Sequence, residues 1–155
     1  MQLLFAALAD EIGAGKLAKT MRQVGMDADS RFELETSRNS IYLAKGATES
    51  ELVETAIGQG RTGVTPLYMA MLASAFANDG MMMKPYIVDH VVYPDGTETK
   101  NTVPEKLMEI CTAAEAATIR DMMVGVVSGG TGTAASINGV TWSPTKRYGG
   151  KCHRL

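Results

Sequence analysis

The most apolar stretch of the chain runs from Leu67 to Ala77, with almost no polar side chain inside it. A helix that is apolar all round is normally buried on every side. Thr65 is a favourable N-cap, Pro66 fits the first helical turn, and Gly80 can adopt the left-handed conformation that ends a helix. The pattern therefore predicts a central buried helix over residues 65–79, around which the rest of the chain packs.

The N-terminal half shows a helical period before and after a polar segment. Apolar residues recur at helical spacing over residues 1–24, and the sequence Gly13-Ala14-Gly15 interrupts them, which predicts two short helices. Residues 25–47 are polar and irregular. Residues 49–57 place their apolar side chains on one face, which predicts a helix capped by Thr48 or Ser50.

After the central helix the pattern changes to that of strands. Residues 84–102 are rich in β-formers around the turn signal Pro94–Gly96, which predicts a solvent-facing hairpin that includes Tyr86–Val88. The remaining predictions are a helix over 104–127 with Thr112 and Glu115 as a capping box, a flexible loop over 128–133 and a short strand over 137–142. The residue pattern alone thus indicates a helix-rich α+β domain.

Composition narrows the range of functions. The 155 residues carry a formal net charge of -2 and are 45% hydrophobic, as in an ordinary globular domain. No basic stripe indicates a nucleic-acid partner. The longest apolar run and the N-terminus lead us to expect no membrane or targeting segment in this chain. The two cysteines, Cys111 and Cys152, have no metal-ligand spacing, so we expect no metal and no cofactor, with Cys111 in the core.

Three signals around the central helix occur together in a known family. Ala56–Gly60 reads A-I-G-Q-G, Thr65–Leu67 reads T-P-L, and Ala77–Gly80 reads A-N-D-G. In this order and spacing they resemble the segment between the second and third catalytic motifs of class B-like penicillin-binding protein transpeptidase domains. The resemblance implies an α+β, helix-rich fragment of a penicillin-binding/β-lactamase-like fold, with a β-hairpin and an incomplete sheet.

The resemblance extends on both sides of this segment, over roughly residues 3 to 140. Phe5 matches the phenylalanine that follows the family's Ser-x-Asn motif, which places the Asn position on Gln2 and the Ser position before Met1. Val126-Val127, the G-T-x-x-A beginning at Gly130 and Gly139-Val140 match in the family's order. The expected Lys-Thr-Gly does not follow. We therefore expect a partial transpeptidase domain over residues 1–140 that carries no catalytic residue, with its substrate-binding residues unassigned.

Residues 141–155 are out of character for the buried strand that the family has there, so we expect a disordered tail. A shifted reading frame is one hypothesis for them. Thr145–Lys151 can be encoded as ACA AAA CGG TAC GGC GGA AAG. Starting at the third base and restoring one G yields codons for Lys-Thr-Gly-Thr-Ala-Glu, which is the family motif at the required place. Because codons are degenerate, this choice of codons shows only that a shifted frame can encode the motif. The match over six residues at the required position is what favours the hypothesis.

One motif suggests a different function. Gly58, Gly60 and Gly63 satisfy the dinucleotide fingerprint, with Asp79 about 20 residues further on. The fingerprint requires a strand before it and a helix that begins within it. Here a predicted helix precedes the glycines and Pro66 starts the next helix after them. A tight turn with close backbone packing is the better interpretation.

Other matches to catalytic motifs have simpler explanations. Ser143–Lys146 fits Ser-x-x-Lys but lies near the end of the chain, whereas the family has its nucleophile upstream. Ser37–Asn39 fits Ser-x-Asn but lies in the irregular segment, which favours turn chemistry. Gly130–Thr133 resembles Lys-Thr-Gly-Thr with Gly130 in place of the lysine, and the family's G-T segment is the better match.

The remaining polar candidates are assigned structural roles. Gln59 and Arg61 are expected to hold their loop by hydrogen bonds. His90 has no obvious acid–base partner in the sequence, and His153 lies in the out-of-character tail. Lone histidines of this kind are usually structural.

The family resemblance implies a parent protein that is a peptidoglycan D,D-transpeptidase. Such a protein would bind peptidoglycan stem peptides and β-lactams through a serine acyl-enzyme, in an extracytoplasmic domain with a membrane anchor. This chain itself is expected to be inactive and to self-associate through uncovered apolar surface. A non-catalytic binding or scaffold module of the same fold is the alternative, and nucleotide binding through Gly58–Gly63 is a further one.

Overall fold

The computed structural model describes residues 2–43 and 47–137 and has the predicted helix-rich α+β architecture. Its two small sheets are both antiparallel and two-stranded, and they pair β1 with β4 and β2 with β3. The helices are α1 (Gln2–Ile12), α2 (Ala14–Gln23), α3 (Glu49–Ala56), α4 (Pro66–Ala77) and α5 (Ala113–Gly129); the strands are β1 (Met81–Met83), β2 (His90–Val92), β3 (Glu98–Asn101) and β4 (Lys106–Glu109).

The first two helices are separate, as the glycine interruption predicts. Gly13 lies between α1 and α2 with φ of 77°, a left-handed conformation that glycine adopts without strain. Ala9 of α1 and Ala18 of α2 are buried together with Leu43 and Leu52 in one hydrophobic cluster. Small side chains at these two positions let both helices join the cluster that contains Leu43 and Leu52, and α1 packs directly against α3.

The prediction for α3 is confirmed, with Thr48 as its cap. The Glu51 N–H donates to Thr48 Oγ1 at 3.3 Å, and the Thr48 N–H donates to Glu51 Oε2 at 2.9 Å. This reciprocal capping box satisfies two helix-end donors within the first turn. The Thr48 backbone N–H, and after it the Thr48 hydroxyl, donate to the Glu51 carboxylate and hold the pKa of Glu51 below its ordinary value.

The central helix α4 begins and ends where the sequence indicates. The Tyr68 N–H donates to the Thr65 side-chain oxygen at 3.2 Å, and Pro66 occupies the first turn. Its inner face, which includes Met71 and Ala75, packs in the main hydrophobic cluster with Met26, Met82 and Ile110.

The expectation that α4 is buried on every side is wrong for this chain. Met69 is 49% exposed, and Ala70, Ser74 and Ala77 on α4 are exposed as well. The partners that this chain packs against α4, among them α5 and β1, cover part of the helix circumference. An apolar side therefore remains open to solvent.

The predicted helix over 104–127 is wrong in its first part, because Lys106–Glu109 forms β4 and pairs with β1. Met82 is opposite Met108 in this register and is 1% exposed. The second part of the prediction is confirmed. Helix α5 begins after Thr112, whose Oγ1 accepts from the Glu115 N–H at 3.3 Å, completing the expected capping box.

The solvent-facing hairpin is confirmed as β2 and β3, joined by a turn in which the Gly96 N–H donates to the Tyr93 carbonyl at 2.9 Å. Tyr86–Val88, predicted as part of the strand region, lies outside both strands. The N–H groups of Ile87 and Val88 donate to one carboxylate oxygen of Glu33, at 3.0 and 3.2 Å. These donors are therefore engaged by a side chain instead of a neighbouring strand.

The segment predicted as a flexible loop over 128–133 contains regular secondary structure at both of its ends. Ser128 and Gly129 belong to α5, and Thr133–Ala135 forms a 3-10 turn. The predicted strand over 137–142, apart from Ile137, and the predicted tail over 141–155 lie outside the described residues.

Across residues 2–43 and 47–137, no helix has the length and apolar character needed to cross a membrane.

Candidate functional site

The loop before α4 is hydrogen-bonded to the segment before α3. We call this contact, centred on Ser40 and Gly63, the clasp. Ser40 and Gly63 exchange backbone hydrogen bonds of 2.8 and 3.0 Å as an isolated antiparallel bridge. The Thr65 N–H donates to Asn39 Oδ1 at 2.7 Å. Asn39 of the Ser-x-Asn match therefore has a structural role at the start of α4, through a contact 26 positions away instead of the local turn that the sequence favours.

The predicted role of Arg61 in holding this loop is confirmed. Its guanidinium carbon lies 3.6 Å from the centroid of the Tyr42 ring, and Nη1 donates to the Tyr42 hydroxyl. The Tyr42 N–H in turn donates to Thr62 Oγ1 at 3.2 Å. A stacked guanidinium and a pair of hydrogen bonds thus add to the contact between the two segments.

The glycines of the dinucleotide fingerprint form turns. Gly58 and Gly60 have φ of 77° and 83°, and the Gln59 N–H donates to the Glu54 carbonyl of α3 at 2.8 Å. The element before the glycines is a helix, and α4 begins after the third glycine. The strand that would aim a phosphate at a helix N-terminus is not in this position. The geometry thus favours the interpretation as a tight turn.

A cleft of about 480 Å³ opens beside the clasp, between residues 25–39 and the N-terminal part of α4. Its floor includes Tyr68, Met71 and Met82 from the main hydrophobic cluster. The Tyr68 hydroxyl donates to the Val24 carbonyl at 3.2 Å, and burial raises the pKa of Tyr68 to about 12. Tyr68 is accordingly a neutral hydrogen-bond donor at physiological pH and unsuited to act as a base.

Three of the carboxylates around this cleft, those of Asp27, Asp29 and Glu33, have partners in the protein. Asp27 lies 3.5 Å from Arg22, and Asp29 accepts from the Arg31 N–H at 2.9 Å. Glu33 binds the backbone before the hairpin. Among residues 2–43 and 47–137, no group of three His, Cys, Asp or Glu side chains could hold a metal ion.

The Asn-Asp-Gly signature turns the chain from α4 into β1. Asp79 and Gly80 both have positive φ, at 52° and 84°. Asp79 also lies 3.5 Å from Arg120 of α5, and the Asn78 side chain donates to the Met81 carbonyl at 2.9 Å. This signature thus positions α4, β1 and α5 relative to one another.

The glycines near Gly130–Thr133 pack against the end of α5. The N–H groups of Gly130 and Gly132 both donate to the Val126 carbonyl, at 3.1 and 3.0 Å. A Cβ on Gly130 would lie 2.8 Å from that carbonyl oxygen. This close approach explains the glycines without a catalytic role.

The structure describes Gln2 and His90 among the other candidates. Gln2 begins α1, whereas Ser143, Lys146, Cys152 and His153 lie outside the described residues. The expectation that His90 has no acid–base partner is wrong, since its Nδ1 lies 3.2 Å from Asp89 Oδ2, although both side chains are exposed on the hairpin.

Cys111 is partly buried against the main cluster, which agrees with its assignment to the core. Burial, together with the negative charges of Glu115 and Glu109, raises the pKa of the Cys111 thiol. The thiol form is thereby favoured over the nucleophilic thiolate.

Sequence reasoning missed three contributors to this region. Asn39 binds the start of α4, Glu33 binds the hairpin base, and Tyr42 stacks on Arg61. Each acts on a residue at least 19 positions away in the chain. No local sequence pattern marks such a contact.

The model of the penicillin binding protein transpeptidase domain family matches residues 2–151, and thus extends into the segment over 141–155. The chain is 34% identical to peptidoglycan D,D-transpeptidase PbpA of Mycolicibacterium smegmatis over 77% of this chain and 24% of that protein. It is 26% identical to penicillin-binding protein 3 of Bacillus subtilis over 90% of this chain and 20% of that protein. The chain therefore spans about a quarter or less of these relatives.

Solved structures show the same similarity in three dimensions. The D,D-transpeptidase domain of a peptidoglycan glycosyltransferase from Eggerthella lenta superposes with a TM-score of 0.78 at 34% identity, over 90% of this chain and 37% of that one. Penicillin-binding protein A of M. tuberculosis, as its penicillin G acyl-enzyme complex, superposes with a TM-score of 0.70 at 29% identity, over 78% and 28%.

Proposed function

Because the chain belongs to the penicillin-binding protein transpeptidase domain family, we propose that it is part of a peptidoglycan D,D-transpeptidase. The complete protein would cross-link cell-wall stem peptides through a serine acyl-enzyme, and β-lactams would acylate the same serine. The observation that carries this proposal is the superposition of 90% of the chain on a D,D-transpeptidase domain at 34% identity. The acyl-enzyme complexes of similar structures support the β-lactam part.

We assign catalysis to the complete domain and expect this chain alone to be inactive. The reaction requires a serine that a neighbouring base activates and donors that stabilise the developing oxyanion. Within the described residues, Asn39 of the Ser-x-Asn match is engaged by the Thr65 N–H, and Gly130–Thr133, which matches the family's G-T segment better than Lys-Thr-Gly, supplies no lysine ammonium. What this chain contributes is a scaffold: the clasp at Ser40 and Gly63, helix α4 and the turn at Gly80.

Intact-protein mass spectrometry after incubation with penicillin G tests the proposal. We expect no covalent adduct on this chain and one adduct on the complete product of its source gene. A stoichiometric adduct on this chain would overturn the assignment of catalysis elsewhere, and a Ser143→Ala variant would show whether Ser143 carries it. If the complete product forms no adduct, the enzyme proposal fails in favour of a non-catalytic module of the same fold.

The proposal also concerns partners and location. The complete protein would act on peptidoglycan stem peptides and would therefore place its catalytic domain outside the cytoplasm, held by a membrane anchor elsewhere in the protein. Relatives named as peptidoglycan D,D-transpeptidases support this location. Fractionation of cells that express the complete gene product, with protease added from outside, checks it. A product found in the cytosol and protected from the protease would contradict it.

A further inference from the structure

One wall of the cleft beside α4 is an irregular segment, residues 29–36, which we call the strap. The strap contains no helix or strand, and all of its residues except Arg31 line the cleft. The cleft floor includes Met71 and Met82, which are 7% and 1% exposed. These side chains line a cleft and are nevertheless buried, so the cleft walls shield them from solvent, and the strap is one of those walls.

A single carboxylate fastens the middle of the strap to the base of the hairpin. Glu33 Oε2 accepts from the N–H groups of Ile87 and Val88, at 3.0 and 3.2 Å. Both donors lie just before β2, more than 50 positions from Glu33 in the chain. Hydrogen bonds to an ionised acceptor are stronger than those between neutral groups. We call these two hydrogen bonds the latch.

A second connection between the strap and the hairpin base is weaker. Arg31 Nη1 lies 3.8 Å from Glu105 Oε1, and Lys84 Nζ lies 3.4 Å from the other oxygen of the same carboxylate. The Arg31 and Glu105 side chains are 64% and 55% exposed. Ion pairs this exposed to solvent contribute little to stability. The latch at Glu33 is therefore the main connection between the strap and the hairpin base.

The strap also contains a strained backbone position. Arg31 has φ of 51°, in the left-handed region that residues with a Cβ avoid. Among residues 2–43 and 47–137, the other non-glycine residue with positive φ is Asp79, a residue type that tolerates this conformation. The Asp29 carboxylate accepts from the Arg31 N–H at 2.9 Å and so supports the turn. Such strain persists only where surrounding contacts hold it, and it is concentrated at switch regions.

From these observations we propose that the strap is a local conformational switch that controls access to the cleft, with Glu33 as its latch. Opening breaks the two hydrogen bonds of the latch and lets Arg31 return to an ordinary backbone conformation. It exposes Met71 on the cleft floor while α4 stays folded, as in other local unfolding reactions. The strain at Arg31 thus favours the open form, and the latch favours the closed form. This inference goes beyond the proposed function and does not depend on catalysis.

Oxidation by hydrogen peroxide measures the opening at the cleft floor. Peroxide transfers one oxygen atom to the thioether of a methionine, which gives the sulfoxide and water. Mass spectrometry of peptides follows Met71, and Met122, which is 65% exposed, reports the reactivity of a freely accessible methionine. We expect Glu33→Ala to speed the oxidation of Met71 several-fold and to leave that of Met122 unchanged. An unchanged rate at Met71 would overturn the proposal.

Two controls separate local opening from general loosening. Glu35→Ala removes another exposed carboxylate of the strap that takes no part in the latch, and Met71 should then react at the wild-type rate. Amide hydrogen exchange at Ala75, which is 1% exposed in the middle of the core, reports opening of α4 itself. Exchange at Ala75 should stay at the wild-type rate in Glu33→Ala. Acceleration of Ala75 exchange and Met71 oxidation by the same factor would contradict a local switch.

A pair of variants at Arg31 keeps the proposal testable if Glu33→Ala does not fold. Arg31→Gly and Arg31→Ala both remove the guanidinium, but only glycine adopts the left-handed conformation without strain. Met71 should therefore be oxidised several-fold more slowly in Arg31→Gly than in Arg31→Ala. Equal rates in these two variants would show that the strain does not drive opening. Neither readout depends on a β-lactam adduct, so failure here and failure of the proposed function are separate results.

Discussion

Gly80 and Cys111 approach each other so closely that a Cβ on Gly80 would fall far inside van der Waals contact of the Cys111 carbonyl oxygen. Gly80 also has φ of 84°, and its carbonyl accepts from the Ile110 N–H at 2.9 Å. This contact joins the end of α4 to the segment between β4 and α5. Glycine is needed here for two independent reasons, a left-handed backbone and a close approach.

Gly80→Ala should therefore destabilise the chain far more than Gly58→Ala does. Gly58 has φ of 77° but open space around its Cα. Its substitution adds left-handed strain alone, about 1 kcal/mol. Gly80→Ala adds a clash with backbone atoms, which should bring the loss to roughly 3 kcal/mol or more. Urea unfolding measures both. Equal midpoints for the two variants would show that the Gly80–Cys111 contact relaxes without cost.

Two methionines on α4 test its one-sided burial. Met71 is 7% exposed in the main hydrophobic cluster, whereas Met69 is 49% exposed. Met71→Ala should lower the free energy of unfolding by about 2–5 kcal/mol. Met69→Ala, the matched control, should change it by less than about 1 kcal/mol. Comparable losses would restore the expectation that α4 is covered on every side.

Helix α5 should depend on its capping box. Thr112→Ala removes the oxygen that accepts from the Glu115 N–H and should cost about 1 kcal/mol. Thr118→Ala is the control, because the Thr118 hydroxyl donates to the Ala114 carbonyl inside the helix and caps nothing. Thermal unfolding by circular dichroism compares the variants. An unchanged midpoint for Thr112→Ala would mean that water replaces the cap fully.

Tyr68 should make stability depend on alkaline pH. Its folded pKa of about 12 exceeds the ordinary 10.0, so the unfolded chain loses the proton first as the pH rises. The contribution is fully present below about pH 10 and is lost between pH 10 and 12, by at most roughly 2.8 kcal/mol since one pKa unit corresponds to about 1.4 kcal/mol. Urea unfolding as a function of pH measures it.

The Tyr68→Phe variant removes this part of the pH dependence. It also leaves the Val24 carbonyl without the Tyr68 donor, which should cost about 1 kcal/mol at neutral pH. Tyr93→Phe on the hairpin is the control and should retain the wild-type slope between pH 10 and 12. A Tyr68→Phe profile that runs parallel to wild type across this range would refute the assignment.

The reading-frame hypothesis for residues 141–155 concerns the gene. We expect the source locus to contain a frame shift before Thr145 and one more G in the codons for Thr145–Lys151, so that Lys-Thr-Gly-Thr-Ala-Glu is encoded in frame. Sequencing the locus checks this directly. An in-frame Trp142–Leu155 segment followed by a natural stop codon would disprove it.

Several elements could be predicted because their signals are local. The caps Thr48, Thr65 and Thr112 each bond a residue three positions away, so the start of each helix is determined by four consecutive residues. The hairpin turn is determined by Asp95 and Gly96 in the same way. The order of A-I-G-Q-G, T-P-L and A-N-D-G also sufficed to indicate the family without any structure.

The contacts between distant parts of the chain were determined by the tertiary structure alone. Met81–Met83 has no strand signal of its own. Its partner Lys106–Glu109 lies in a segment that the sequence predicts as helix, and the pairing of the two makes both of them strands. Glu33 engages the Ile87 and Val88 N–H groups from 54 and 55 positions away.

The same limit applies to the candidate site. The Ser-x-Asn match was visible in the sequence, but its Asn39 binds the Thr65 N–H 26 positions away, which the pattern alone does not reveal. One-sided burial of α4 likewise depends on which elements this chain brings to it. Local hydrogen bonds are determined by neighbouring residues. Strand pairing and side-chain burial depend instead on which distant segments come into contact, and the sequence pattern of one segment does not identify the segment that it will contact.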